Sequence, residues 1–183
     1  MNKQIKSPLY RRYAEKVAPE LQKEFKLDSS YAVAEIKKVI VNTGVNGAKD
    51  DKTVLEEAVE NLRQITGQKP VINKAKKSIS NFSLKQGDPI GCKVTLRGER
   101  MYEFIRKLLS VAIPRIRDFG GLKRSIDKFG NLTLGLSDES IFPEVNDDTL
   151  KTVKGLNITI VTDKQDRKLS ERLYERLGFP FEK

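Results

Sequence analysis

The sequence predicts an α+β protein: a single domain whose mainly antiparallel sheet is backed by helices on one face, with a long basic loop. Runs of alternating or β-branched residues, typical of strands, are separated by longer segments whose apolar residues recur every three to four positions. No linker, internal repeat or low-complexity tract interrupts the 183 residues. One domain over residues 1–183 is therefore the economical interpretation.

Helical periodicity is found in four segments, at about residues 7–26, 52–65, 99–111 and 164–177. In the first, an apolar residue recurs at every fourth position from Leu9 to Phe25. Pro19 interrupts this stripe and predicts a kink or an early end, because proline cannot donate a helical hydrogen bond. In the second, the glutamates are expected to form the solvated face: Glu56, Glu57 and Glu60.

Strands are predicted over residues 35–43, 91–98, 131–136 and 155–162, and a short one is possible at 70–73. The 91–98 strand alternates cleanly, since Cys92, Val94 and Leu96 are apolar. Successive side chains of a strand point to opposite faces. Lys93, Thr95 and Arg97 are therefore expected on a polar, basic face, and Cys92 is expected in the core.

The positive charge is concentrated in the middle of the chain. The whole sequence has 35 basic and 25 acidic residues, a net charge of +10. Residues 62–135 contain 16 basic and 5 acidic residues, or +11, whereas residues 1–61 carry +1 and residues 136–183 carry −2. Such asymmetry favours a surface that binds a polyanion over a uniformly basic, merely soluble one.

Several classes of protein are disfavoured by residue types that are missing. The chain has no histidine, which removes histidine-based triads and metal sites, and its one cysteine excludes an internal disulfide framework and a cysteine-based zinc site. Residues 1–6 lack the apolar core of a signal peptide, and no apolar run approaches the roughly 20 residues of a bilayer span. We expect a soluble protein of a reducing compartment.

A nucleic-acid interface is predicted from two neighbouring features. The segment 73–88 is expected to be a long, mobile loop; it and its approach carry Lys69, Lys74, Lys76, Lys77 and Lys85, with no acid before Asp88. The polar face of the 91–98 strand offers donors to phosphates, sugar hydroxyls and base edges. It lacks stacked aromatic residues, which favours structured or double-helical RNA over single strands. DNA would suit the same features.

Two other functions are left open by the residues alone. A metal-dependent nucleic-acid enzyme would need converging carboxylates, for which the basic segment offers only Asp88, Glu99, Glu103, Asp118 and Asp127. A basic adaptor that binds acidic proteins is the other. Two motifs are weak: Gly44-x-x-Gly47-x-Lys49 departs from a phosphate-binding loop, and Asp147-Asp148 is better explained as a solvated turn than as a cation site.

Six motifs occur in an order that resembles one known family. They are Gly67-Gln-Lys-Pro70, Lys74-Ala-Lys-Lys-Ser78, Gly87-Asp-Pro-Ile-Gly-Cys-Lys-Val-Thr-Leu-Arg-Gly98, Pro114-Arg-Ile-Arg-Asp-Phe119, Ile141-Phe-Pro-Glu144 and Gly155-Leu-x-Ile-Thr159. The chain resembles the bacterial-type large-subunit ribosomal protein five family, which binds 5S ribosomal RNA in the central protuberance. The resemblance covers nearly the whole chain, from the first helix to Phe181.

The resemblance implies a structural, non-catalytic protein of the cytoplasmic ribosome, without cofactor or metal. Its expected partners are 5S ribosomal RNA, large-subunit ribosomal RNA, P-site transfer RNA and small-subunit ribosomal protein thirteen, with neither membrane nor DNA. Asn42, Gln68 and Thr95 match the family's polar contacts to 5S RNA. With the neighbouring basic side chains, the expected 5S RNA-binding set is Asn42, Gln68, Lys69, Lys93, Thr95 and Arg97.

Two further sites are implied by the resemblance. The basic loop matches the family's loop that reaches P-site transfer RNA, with Lys74, Lys76, Lys77, Ser78 and Lys85 as the expected contacts. The 114–122 and 137–147 regions match the segments that face the small subunit, with Arg115, Arg117, Asp118, Phe119, Phe142 and Glu144 as the expected bridge residues.

Three positions depart from the family's usual pattern. Asn46 replaces a glycine in the loop after the first strand, which changes the expected loop geometry. Gly120 stands where an arginine commonly follows Asp-Phe, and this removes one charge from the bridge region. Ser83 thins the basic stretch before Gln86-Gly87.

Overall fold

A five-stranded sheet organises the computed structural model of the chain, which describes residues 7–45, 52–145 and 154–182. The strands are β1 (Ile36–Gly44), β2 (Val71–Lys74), β3 (Pro89–Leu96), β4 (Leu132–Leu136) and β5 (Leu156–Thr162), in the spatial order β2-β3-β1-β5-β4. All four expected strands and the possible short one are therefore confirmed. Gly47, Lys49 and the Asp147–Asp148 pair, which belong to the two weak motifs, lie outside the described residues.

The sheet is antiparallel, as expected. β2 pairs antiparallel with β3. Between β1 and β5, Asp163 N–H donates to the Glu35 carbonyl oxygen at 3.0 Å, and Thr43 Oγ1 donates to the Gly155 carbonyl oxygen at 2.9 Å. Residue numbers thus rise along β1 as they fall along β5, which defines antiparallel strands. The α+β class is confirmed.

Burial alternates along β4, β5 and most of β1 and β3, so each of these strands has one core face and one open face, whereas the short β2 has no buried residue. In β5 every second residue from Leu156 to Thr162 is buried, and β4 has the same pattern. In β3, Cys92, Val94 and Leu96 are buried while Lys93 is exposed. Burial raises the pKa of the Cys92 thiol to about 11, so the thiol is protonated at neutral pH, as suits a core residue.

The N-terminal helix continues through Pro19 instead of ending there. It consists of α1 (Pro8–Arg12), a π-helical turn (Tyr13–Val17) and α2 (Ala18–Glu24). In the π-helical turn, Ala18 N–H donates to the carbonyl oxygen of residue 13, five positions earlier. This wider turn lies directly before Pro19, which has no N–H to donate, and it lets the helix pass the proline.

The other predicted helices are confirmed: α3 (Lys52–Thr66), α4 (Gly98–Lys107) and α5 (Arg167–Leu177). The π-helical turn Leu108–Ala112 extends α4 to the predicted end. α5 begins at Arg167, a little later than predicted, because the Asp166 carboxylate accepts hydrogen bonds from the N–H groups of residues 168 and 169 and caps the helix there. No helix in the described ranges is both long enough and apolar enough to cross a bilayer.

The chain is divided into two compact units. Unit 1 comprises Met1–Val39, Leu96–Leu134 and Thr159–Lys183, and unit 2 comprises Ile40–Thr95 and Gly135–Ile158. The buried side chains of unit 1 include Val17, Leu21, Met101, Ile105, Leu108, Leu173 and Leu177. Those of unit 2 include Val41, Ala58, Leu62, Cys92, Val94, Leu136, Phe142 and Leu156. A single domain over residues 1–183 stays a prediction.

Unit 2 contains a buried cluster of charged groups that the sequence analysis did not anticipate. Lys154 Nζ lies 3.2 Å from Glu57 Oε1 and 4.0 Å from Glu139 Oε1, and the Lys154 side chain is only 4% exposed. Asn61 Nδ2 donates to Glu139 Oε1 at 3.1 Å. Glu57 was expected on a solvated helix face, and that expectation was wrong because it pairs with Lys154.

The cluster joins α3 to the segments before β5, so its charges depend on one another. Burial raises the pKa of Glu139, while Asn61 and the Lys154 ammonium act in the opposite direction. Removing one member of such a cluster leaves a buried charge without a partner and strongly destabilises the fold. This loss is much larger than the net stability that the intact cluster contributes.

Replacing Lys154 with methionine is expected to destabilise the protein by about 3 kcal/mol at pH 7. Without the ammonium, the pKa of Glu139 rises further, so folded Glu139 takes up a proton at a pH where the unfolded chain remains ionised. The variant should therefore regain stability relative to the natural chain as the pH falls from 7 towards 5. Urea unfolding at both pH values measures this.

Lys164→Met is the matched control, because Lys164 pairs with Asp163 at 3.3 Å in a solvent-exposed position. Its loss should cost at most about 1 kcal/mol. A Lys154→Met protein whose deficit is the same at pH 5 and pH 7 would contradict the role given to Glu139.

Candidate nucleic-acid interface

The open face of the sheet in unit 2 presents polar side chains from three adjacent strands. Val71 lies opposite Lys93, and Asn73 lies opposite Gly91, so β2 and β3 share these faces. Lys93 is exposed and Thr95 is half-buried on β3, and Asn42 is half-buried on β1. Amide, hydroxyl and ammonium groups are thus brought together on one surface.

Asn42 and Asn73 are joined across β3. Asn73 Nδ2 donates to Asn42 Oδ1 at 3.2 Å, although the two strands flank β3 and do not pair with each other. Asn73 lies opposite Gly91, which has no side chain to block the bond. The hydrogen bond uses one polar atom of each amide and holds both amides in place, leaving the second polar atom of each for a ligand.

Gly91 also allows β3 to lie close to β1. A Cβ atom at this position would overlap the Thr43 carbonyl oxygen. The absence of a side chain at residue 91 is therefore a geometric requirement of this part of the sheet.

Gln68 lies at the border of this surface and binds the backbone of β3. Its Nε2 atom donates to the Thr95 carbonyl oxygen at 3.2 Å. Thr66 Oγ1 donates to the Leu62 carbonyl oxygen at 2.6 Å and closes the end of α3 just before Gln68. Gln68 thus holds the backbone of β3 at Thr95. The Gln68 Oε1 atom is not used in this hydrogen bond.

The basic members of the predicted set are all exposed, but they do not all belong to unit 2. Lys69 follows Gln68 and is exposed in unit 2, as is Lys93. Arg97 is exposed in unit 1, at the N-terminal end of α4. The structure therefore brings Asn42, Gln68, Lys69, Lys93 and Thr95 together within unit 2.

The 73–88 segment is the expected long basic loop between β2 and β3, and backbone hydrogen bonds close it into an arm that is called the hairpin below. At its base, Ala75 N–H donates to the Asp88 carbonyl oxygen at 2.8 Å, and Gly87 N–H donates to the Ala75 carbonyl oxygen at 2.9 Å. Near its tip, Ile79 and Leu84 exchange backbone hydrogen bonds at 2.9 and 3.1 Å. Sequence reasoning missed these pairings because the apolar residues that pair, Ile79 and Leu84, are isolated among polar ones and form no visible strand pattern.

The predicted polar contacts of this hairpin lie on its surface. The exposed members are Lys74, Lys76, Lys77, Ser78 and Lys85. Ser78 Oγ accepts a hydrogen bond from Gln86 N–H at 2.9 Å, and Asp88 Oδ2 accepts one from Lys85 N–H at 2.8 Å. Ser78 therefore also ties the two arms together, while the lysine ammonium groups extend into solvent.

The predicted bridge residues fall into two sets. In unit 1, Arg115, Arg117 and Asp118 are exposed and Phe119 is half-buried, and Asp118 has a left-handed backbone with φ of 52°. In unit 2, Glu144 is exposed.

Phe142, the other bridge residue of unit 2, is fully buried in its core. A ring buried here packs in the core of unit 2. It cannot contact another molecule while the unit is folded.

The carboxylates of the basic segment do not converge. Glu103 pairs with Arg106 at 3.0 Å, and the Asp127 carboxylate accepts three hydrogen bonds within its own turn. In the residues that the structure describes, no group of three or more cysteine or acidic side chains is placed to hold a metal ion. The geometry therefore gives no support to the metal-dependent enzyme considered above.

Two models of one family match most of the chain. Residues 29–85 match the family described as ribosomal protein L5, and residues 89–181 match the model of that ribosomal family's C-terminus. These matches define a protein of the ribosome.

Curated relatives named large ribosomal subunit protein uL5 agree with this. Those of Natranaerobius thermophilus, Brachyspira hyodysenteriae and Mesoplasma florum are 48%, 49% and 47% identical to the chain. The alignments cover 94%, 96% and 98% of the chain and 97%, 94% and 100% of the relatives. The chain belongs to the ribosomal protein L5 family.

Membership establishes the general role. The protein is a non-enzymatic component of the large ribosomal subunit, its partner there is ribosomal RNA, and it is located on the ribosome in the cytoplasm. The expectations of a ribosomal, RNA-binding, non-catalytic protein are confirmed.

Gly91→Ala is expected to destabilise the protein by about 1–3 kcal/mol, since the new methyl group forces β3 away from the Thr43 carbonyl oxygen. It should also separate Asn73 from Asn42. Urea unfolding measures the first effect, and the amide proton shifts of both asparagines report the second.

Gly135→Ala is the matched control in the same unit, because its Cβ would meet only Asn157 Oδ1 at 3.7 Å, an ordinary contact. It should change stability by no more than about 0.5 kcal/mol. Equal stability of the two variants would show that the approach of β3 to β1 is not a constraint.

Proposed function

We propose that the open sheet face of unit 2 binds 5S ribosomal RNA and attaches it to the central protuberance of the large subunit. The observation that carries this proposal is the cross-strand pair of Asn42 and Asn73, held beside Lys93 and Thr95 on the polar face of the sheet. A protein that keeps two amides fixed on an open surface has them ready for a polar ligand without an ordering cost.

The chemistry of this face suits a folded RNA. Amides and hydroxyls bind 2′-hydroxyl groups and base edges in the wide minor groove of A-form RNA, and ammonium groups bind phosphates. Lys69 and Lys93 supply charge at this face and other exposed cations of the chain add to it, while Asn42 and Thr95 fix the register of the RNA on the sheet. Gln68 contributes by holding β3 and through its free Oε1 atom.

The hairpin 73–88 is proposed to contact P-site transfer RNA. Its backbone is closed by pairs at the base and near the tip, and four lysines project from it without an ion pair in the described part of the chain. These lysines are Lys74, Lys76, Lys77 and Lys85. An arm closed by backbone hydrogen bonds, with exposed ammonium groups, binds a phosphate backbone in a sequence-independent way.

Two sets of residues are proposed to form an intersubunit bridge with small-subunit ribosomal protein thirteen. Unit 1 offers Arg115, Arg117 and Asp118, with Phe119 half-buried beside them. Unit 2 offers the exposed Glu144, two residues after the buried Phe142.

Binding of the full chain to 5S ribosomal RNA is expected to weaken steeply with salt. If five to eight phosphates are neutralised, the slope of log affinity against log salt should be roughly −4 to −6. Asn42→Ala and Thr95→Ala should each weaken binding by about 1–3 kcal/mol with little change in this slope, because they remove polar and not ionic contacts. A filter-binding titration at several salt concentrations measures both quantities.

Thr95→Ser, which keeps the hydroxyl group, should restore most of the affinity. Asn81→Ala makes the same amide-to-methyl change on the hairpin and should leave 5S RNA binding unchanged. An unrelated structured RNA of equal length that competes as well as 5S RNA would refute the proposal, since charge alone would then explain binding.

Changing Lys74, Lys76 and Lys77 together to alanine is expected to leave 5S RNA binding nearly intact but to lower retention of P-site transfer RNA by purified ribosomes. The reason is that Lys76 and Lys77 lie beyond the end of β2, and Lys74, its last residue, is not a member of the polar set on the open face. Dissociation of labelled transfer RNA from ribosomes that carry the variant measures the effect, and unchanged dissociation would argue against contact by the hairpin.

A further inference from the structure

A second ligand-binding feature is found in unit 1, at the turn between residues 127 and 131. Phe129 lies in this turn and is 45% exposed. Several aromatic side chains of this unit are buried, such as Tyr102 and Tyr174. Placing a phenylalanine ring in water has a cost that a polar residue would avoid.

The turn that carries the ring is held firmly from within. The Asp127 carboxylate accepts hydrogen bonds from Phe129 N–H at 2.8 Å, Asn131 N–H at 2.9 Å and Asn131 Nδ2 at 2.8 Å. Asp127 N–H donates to the Asn131 carbonyl oxygen at 3.0 Å. The backbone on both sides of Phe129 therefore has a fixed conformation.

The turn is also anchored to α5. Tyr174 OH lies 3.0 Å from the Gly130 carbonyl oxygen, to which it donates. Gly130 has φ of 82°, and a Cβ there would overlap Ser170 Oγ, so only glycine fits. These contacts fix the position of the backbone beside the ring relative to the helix, while the Phe129 side chain stays partly exposed.

The surroundings of the open ring are cationic. Lys128 Nζ lies 5.1 Å from the centre of the Phe129 ring, and Lys37 and Lys38 line the cleft next to it. None of these three lysines forms an ion pair within the described residues. Asp163 is the acidic group in the cleft, and it is engaged with Lys164 at 3.3 Å and with Glu35 N–H at 2.8 Å.

Hydrogen-bonding groups complete the cleft. Asn131 and Gln165 supply amides, and Val161 of β5 adds an apolar side chain to the lining. An exposed ring, an apolar side chain, two amides and three cations without ion pairs match the parts of one nucleotide: a base that stacks, polar base edges and a phosphate.

We propose that Phe129 is a stacking platform for an unpaired base of ribosomal RNA, with Lys37, Lys38 and Lys128 holding the adjacent phosphates. The proposal rests on the chain's membership in a ribosomal RNA-binding family and not on the 5S RNA contact proposed for unit 2. Charge complementarity favours RNA over a protein, because the free cations here lack acidic partners among the described residues of the chain itself.

Assembled large subunits that contain the full chain provide the test. Dimethyl sulfate and 2′-hydroxyl acylation probing of their RNA should show one or two nucleotides that become about tenfold more reactive in Phe129→Ala subunits. Phe129→Tyr should restore protection, because tyrosine also stacks. Ultraviolet crosslinking followed by mass spectrometry should join Phe129 to one of the same nucleotides.

Tyr31→Ala is the matched control, since Tyr31 is an aromatic residue of unit 1 that is 88% exposed and does not line the cleft beside Phe129. It should leave the reactivity pattern unchanged. Unfolding of Phe129→Ala at the same urea concentration as the natural chain confirms that the variant folds.

Three results would overturn the proposal: no change in RNA reactivity with Phe129→Ala, an equal change with Tyr31→Ala, or a crosslink from Phe129 to a protein only. Failure of the unit 2 proposal is read separately, from the affinity of Asn42→Ala for free 5S RNA. Either proposal can therefore fail while the other holds.

Discussion

The burial of only one face of an antiparallel sheet is the constraint on which the remaining features depend. Because side chains alternate along a strand, every apolar residue that enters the core leaves its neighbours on the opposite face. In β3 the buried Cys92 and Val94 thus determine that Lys93 and Thr95 face outward. An open face that is mainly polar remains in contact with water, and polar groups held in a fixed geometry form a surface that can recognise RNA. Core and interface are specified by the same alternation.

The open face also requires closely spaced strands. The absence of a side chain at one residue makes this spacing possible. Gly91 lets β3 approach the Thr43 carbonyl oxygen and clears the path between Asn42 and Asn73. Elsewhere in unit 2, the Lys154 cluster is held by Glu57 and Glu139. Buried charges of this kind add little net stability, but they penalise alternative packings in which a partner is missing.

Local patterns predicted much of this architecture, and long-range contacts explain what they could not predict. The strand around Val94 and the helix around Leu62 have clear periods, so their types and faces followed from the sequence. The π-helical turn before Pro19, the pairing within the 73–88 hairpin and the partner of Glu57 depend on residues far along the chain or on small changes in geometry. Exposure of Phe129 depends on a turn whose anchors lie in α5, about forty residues later, and no local pattern reports it.

The distribution of free cations, more than the net charge of +11 over residues 62–135, determines where RNA can be bound. Many arginines of the chain are already neutralised: Arg124 pairs with Glu171 and Glu175, and Arg176 pairs with Glu20 and Glu24. The hairpin lysines and those beside Phe129 have no such partners in the described residues. A cation without an ion pair displaces counterions from RNA when it binds a phosphate. A cation that is already paired must first separate from its carboxylate, which offsets this gain. The salt dependence of RNA binding should therefore follow the lysines on the hairpin, on the sheet face and around the exposed ring, while the arginine networks act mainly to hold the helices of unit 1 together.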